Sequence, residues 1–95
     1  MEFWEWRELL KPFENTAFMT LRGRTFYFYT TEQGIRVNGR YFESYDHFND
    51  ILRGKAFSYN EMKVLIDNPT YIFGIVSDSR IRDIIMQILI FEKYK

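Results

Sequence analysis

"RGRTFYFYT", residues 22–30, sets four aromatic rings in a row behind a glycine held between two arginines. Side chains alternate across an extended strand, so four consecutive rings cannot serve one surface. The run separates Phe26 and Phe28 from Tyr27 and Tyr29. The phenylalanines have no polar tip and belong in a core. The tyrosines carry hydroxyls that want water or a partner.

Neighbouring segments extend this pattern. Residues 16–22, "TAFMTLR", alternate as well, and Gly23 permits a tight turn into the aromatic strand. "TEQG" at 31–34 is a second turn, and "IRV" at 35–37 is a short third strand. Asn38-Gly39 is the strongest short hairpin signal, because both central residues of the favoured turn need positive φ. "RYFESY" at 40–45 returns as a fourth strand. The prediction is an antiparallel meander of about four strands over roughly residues 16–45. Its apolar face takes Met19, Leu21, Phe26, Phe28, Ile35, Val37 and Phe42. Its other face takes Tyr27, Tyr29, Tyr41 and Tyr45 with Arg36. Rigid amphipathic rings beside arginine are the composition of contact hot spots, so these five residues form the candidate partner-binding set.

Helices flank the meander. In "EFWEWRELLKP", Phe3, Trp6, Leu10 and Phe13 recur at helical spacing with Glu2, Glu5 and Glu8 opposite, and Pro12 stops the helix. A membrane-lying helix usually carries Lys and Arg, whereas this one is net acidic, so docking on the domain's own sheet is expected. It could also cover the tyrosine face. "SYDHFNDILRG" is capped by Ser44 or Asp46 and ended by Gly54. "SYNEMKVLIDNP" opens on a Ser58–Glu61 capping box. Residues 70–76, within "TYIFGIV", fit a buried strand or a short helix. Asn68-Pro69, as cap and first position, leans them toward helix. "SDSRIRDIIMQILIFEKYK" is the longest helix, with an apolar stripe of Ile81, Ile84, Ile85, Ile88 and Leu89, and with Lys93 and Lys95 at its dipole-negative end. The expected fold is therefore a small single α+β domain over residues 1–95. An N-terminal helix and three C-terminal helices pack on one face of the meander.

Composition agrees. Ninety-five residues with ten Phe, seven Tyr and two Trp can bury a real core as one domain. There is no cysteine, so disulfides and thiolate metal sites are excluded. The apolar runs are far short of a membrane span, and the acid-bearing N-terminus does not read as a signal peptide, so a cytoplasmic location without membrane contact is expected. Net charge is zero, against the basic excess of a dedicated duplex-DNA binder. The charge is unevenly spread: residues 1–21 carry −2 and residues 22–57 carry +2.

The aromatic strand is similar to that of RNA-recognition motifs at Arg22, Gly23, Phe26 and Tyr29. It departs from them at Arg24, Thr25 and Tyr27. The βαβ stretch that precedes this strand in that family would not fit the 21 residues before Arg22, so the family is set aside. Stacking of a single strand on the tyrosine face needs only rings and some positive charge.

No catalytic motif occurs: there is no nucleotide loop, GxSxG, HExxH or dinucleotide fingerprint. "ESYDHFND" gathers Glu43, Asp46, His47 and Asp50 around the single histidine, a set that could ligate a divalent ion. Acids at a helix start are equally placed for capping and for the dipole, so neither a metal nor a cofactor is expected. The expectation is a non-enzymatic protein-binding module that occludes or scaffolds a partner, in the style of the small accessory or inhibitor proteins of phages and mobile elements. A single-stranded nucleic-acid binder is the alternative, and self-association through the same face or an exposed fourth strand is a third.

Overall fold

Phe18 stands opposite Phe26, and Met19 opposite Thr25, in the computed structural model, which describes the backbone of residues 1–93 and the side chains of residues 1–91. The order of elements is α1 (Phe3–Leu10), a 3-10 turn (Lys11–Phe13), β1 (Phe18–Met19), β2 (Thr25–Phe26), β3 (Phe28–Thr30), β4 (Gly34–Val37), β5 (Tyr41–Ser44), α2 (Tyr45–Gly54), α3 (Tyr59–Met62), α4 (Pro69–Val76) and α5 (Ser79–Lys93). This is the α+β domain that the sequence predicts, with antiparallel strands in meander order, one α-helix before them and, among the described residues, four rather than three after them. Residues 70–76 are helical, with Pro69 in the first turn. The side chains of Lys93 and Lys95 lie outside the described residues.

The aromatic strand divides at Tyr27. Thr25–Phe26 pairs with β1, while Phe28–Thr30 pairs with β4, so the meander is shared between a two-stranded and a three-stranded sheet. At the division, the Tyr27 N–H donates to Asn38 Oδ1 (3.2 Å), and the Asn38 N–H donates to the Tyr27 carbonyl (2.8 Å). Alternation survives the break: Phe26 and Phe28 are buried and Tyr27 and Tyr29 are exposed.

Two predicted strand faces are inverted, for one reason. Side chains have a period of two, so one extra residue in a hairpin loop sends the following strand's side chains to the other face. Between β4 and β5, Asn38 and Gly39 take the positive φ values expected of them (53° and 67°). Arg40 then closes the turn on the Val37 carbonyl (3.0 Å), but the ladder starts with Val37 opposite Tyr41. Arg40 is the additional residue. Phe42 consequently falls opposite Arg36 and is exposed rather than buried, while Glu43, opposite Ile35, goes inward. The β1–β2 turn likewise spans Leu21, Arg22 and Gly23, with the Thr20 N–H bonded to the Arg24 carbonyl (2.9 Å). Phe18 therefore joins Phe26 in the core, and Met19 and Leu21 are exposed.

The helices build the rest of the core. Trp6 and Leu10 of α1 are buried, and Trp6 packs on Phe48 of α2 with its indole N–H donated to Asn49 Oδ1 (2.7 Å). This docking on α2 leaves Tyr27 and Tyr29 uncovered. Ser44 caps α2 by accepting the Asp46 N–H (3.1 Å). The helix ends with Lys55, not Gly54, in the left-handed region. The predicted long helix from Ser58 shortens to the single turn of α3. The N–H groups of Asp67 and Asn68, which a longer helix would give to its own carbonyls, go instead to the Glu43 carboxylate. Helix α4 lies so close to β1 that a Cβ on Gly74 would come within 2.6 Å of the Met19 carbonyl oxygen. On α5, Ile81 and Ile85 are buried, whereas Ile84 and Ile88 are only partly so, because they border a surface groove against α1 rather than the core.

Candidate contact face

Antiparallel register brings Tyr29, Arg36 and Phe42 into one cross-strand row: Tyr29 opposite Arg36, and Arg36 opposite Phe42. All three are exposed, and the Arg36 guanidinium lies over the Phe42 ring, 5.4 Å from its centroid. Tyr27 extends the row from the strand division. Tyr27 is 49% and Tyr29 43% exposed, which is high for side chains of this size. Such exposed rings beside an arginine have the make-up of an interface centre. Among the residues of β3, β4 and β5 the one carboxylate, Glu43, is buried, so the strands present arginine and rings but no exposed acid.

Of the five candidate residues, the structure thus brings together Tyr27, Tyr29 and Arg36. Tyr41 goes to the other side. It pairs with buried Val37, and its half-buried ring stacks on Tyr71 of α4 (5.2 Å) with the Arg40 guanidinium over it (5.3 Å). Tyr45 is removed from the set. It is fully buried as the first residue of α2, edge-on to Phe3, with its hydroxyl donated to the Thr31 carbonyl (2.7 Å). Burial pushes its pKa up to about 12, against the lowering effect of nearby Arg7 and of that hydrogen bond. The sequence reading placed Phe42 in the core and so missed it as a member of this face. The inserted Arg40, indistinguishable in sequence from the first residue of the next strand, is the cause.

The acidic cluster is also rearranged. Asp46 and Asp50 leave it, with Asp50 pairing to Arg53 (3.0 Å). Asp67, distant in sequence, enters: Glu43, His47 and Asp67 each offer one atom within 4.8 Å of the others. A divalent ion could be held by such atoms, but the Glu43 oxygens already have donors. They accept the N–H groups of Asp67 (3.3 Å) and Asn68 (2.7 Å) and the Asn68 side-chain amide (3.2 Å), and one of them meets His47 Nδ1. Burial alone would lower the His47 pKa. The hydrogen bond to Glu43 and the charges of Glu43, Asp67 and Asp50 outweigh it, so the pKa is raised.

Among the described residues no helix is long and apolar enough to cross a membrane. The outer edge of β5 is not bare, because the Asn68 amide donates to the Phe42 carbonyl (2.7 Å). Comparison with family models, with curated proteins and with solved structures returns no match for this chain.

Proposed function

We propose that the domain is a non-enzymatic protein-binding module that acts by occluding a partner through the face of Tyr27, Tyr29, Arg36 and Phe42. One observation carries this: a register-defined row of exposed rings and one arginine, left open because α1 docks on α2 instead of covering it. Partner binding is the use that such a row serves best, since clustered aromatics and arginine contribute most interface energy. An accessory or inhibitor role fits a small domain whose functional surface is a rigid sheet rather than a catalytic pocket.

A second reading, single-stranded nucleic acid stacked on the same rings, is favoured by the absence of an exposed carboxylate from β3, β4 and β5. One experiment separates them. Proteins captured from the native cell by the wild-type domain are compared with those captured by the Tyr27→Ser/Tyr29→Ser variant, and the captured partner is then titrated at two salt concentrations. A partner lost by the variant and bound with shallow salt dependence supports the protein-binding proposal. A steep fall with salt assigns the face to phosphates. Equal capture by both proteins removes the face from function.

A further inference from the structure

The β1–β2 turn and helices α3 and α4, with Tyr71 of the Tyr41–Tyr71 stack, line a cleft of about 420 Å³. That is toward the small end of the about 300–1,000 Å³ range of ligand pockets, enough for one compact ligand. Its polar walls are Thr20, Arg22, Arg24, Tyr59, Thr70 and Tyr71. None of these is acidic, and among the described residues neither arginine is in an ion pair. Two arginines lining one cleft without a carboxylate favour an anion, and their forked donors match phosphate oxygens. Thr70 is the second residue of α4, so the positive end of that helix adds the same sign.

The tyrosines give the ligand its second part. Tyr71 is braced by Tyr41, stacked on it, and by Phe26, set T-shaped to it, both at 5.2 Å. Tyr59 is set edge-on to Phe73 (6.2 Å), with the Lys63 ammonium 5.9 Å from its ring centre. Rings held in place by other rings offer a stacking surface at little entropic cost. The Thr20 and Thr70 hydroxyls can meet the polar edge of a flat heterocycle. Thr20 is oriented by the Arg24 N–H, which donates to its oxygen (3.1 Å).

We propose that this cleft binds a nucleoside monophosphate, its phosphate on Arg22 and Arg24 and its base against Tyr59 and Tyr71. The ligand is either a free nucleotide or one unit of a single strand. The inference does not rest on the contact-face proposal, since neither Tyr27, Tyr29 nor Arg36 lines the cleft.

The test is a titration followed by amide chemical shifts, using nucleoside 5′-monophosphates, the matching unphosphorylated nucleosides, inorganic phosphate, phosphotyrosine and a tetranucleotide. Expected are saturable shifts at Thr20, Tyr59 and Tyr71 with a monophosphate, and weaker ones with the nucleoside or phosphate alone. Arg22→Ala/Arg24→Ala should reduce affinity by about tenfold or more, as loss of charge-assisted hydrogen bonds does. Both arginines are exposed, so the variant should melt as wild type does. Tyr27→Ser/Tyr29→Ser should bind the monophosphate unchanged, which keeps the two proposals distinguishable. Tighter binding of the tetranucleotide identifies a strand as the source, and equal binding identifies the free nucleotide. No localised shift, equal response to inorganic phosphate, or preference for phosphotyrosine overturns the assignment.

Discussion

The Glu43 carboxylate, fully buried at β5, accepts the backbone N–H of Asn68 over 2.7 Å and so ties the end of the sheet to the start of α4. The same group takes the Asp67 N–H and meets His47. Removing such an acceptor strands the donors that it satisfied. Glu43→Ala should therefore cost about 1–3 kcal/mol, as leaving buried donors without an acceptor does. Glu43→Gln, which keeps one acceptor oxygen, should cost clearly less. Urea titration of both variants measures this, and a loss under about 1 kcal/mol for Glu43→Ala would deny the carboxylate its structural role.

His47 makes that tie pH-dependent. Its pKa is raised in the folded protein above the ordinary 6.5, because Glu43, Asp67 and Asp50 favour the cation more than burial opposes it. The folded state thus holds its proton more tightly than the unfolded chain. The stabilisation is complete below 6.5 and is lost as pH rises through the raised folded value. Melting temperatures on either side of this window should fall toward alkaline pH, and His47→Gln should flatten that step. An unchanged step in the variant would assign the dependence to another group.

Gly74 is the test of how α4 meets β1. In a helix interior, Gly→Ala ordinarily adds about 1 kcal/mol of stability. Here the new Cβ would come within 2.6 Å of the Met19 carbonyl oxygen and 2.9 Å of the Phe26 ring. The carbonyl is backbone and cannot swing aside, and overpacking costs about 1–3 kcal/mol. The clash should exceed the propensity gain and destabilise the protein in thermal melts. A stabilised Gly74→Ala protein would mean that α4 stands further from β1.

The aromatic strand predicts a contrast. Phe28 is 3% exposed, and Phe28→Ala should cost about 3–5 kcal/mol. Phe42, two strands away and 37% exposed, should cost much less on the same change. Tyr27→Ser/Tyr29→Ser should leave the fold nearly intact, because exposed side chains away from special features lose little on truncation. Denaturant midpoints rank the three variants. A Phe42→Ala loss equal to that of Phe28→Ala would restore the two-residue hairpin loop and reverse the face of β5.

Local chemistry was enough to determine much of this protein. The alternation in Phe26–Tyr29, the positive-φ pair Asn38-Gly39, the Ser44 cap and the Asn68-Pro69 helix start each act over a few residues, and each is found where the sequence places it. Tyr27, Tyr29 and Arg36 were legible as an exposed set for the same reason. What tertiary structure alone decided was parity and long-range polar satisfaction. Whether Arg40 ends a turn or starts a strand is undetermined by its own identity. Pairing Val37 with Tyr41 turns Phe42 outward and Glu43 inward, and α2 then begins with Tyr45 buried. The partners of Glu43, the N–H groups of Asp67 and Asn68, lie 24 and 25 residues further along the chain, past the end of α3 at Met62. Propensity and periodicity are properties of neighbours in sequence. A buried carboxylate must instead find donors wherever the fold supplies them, and that requirement set the final arrangement around β5.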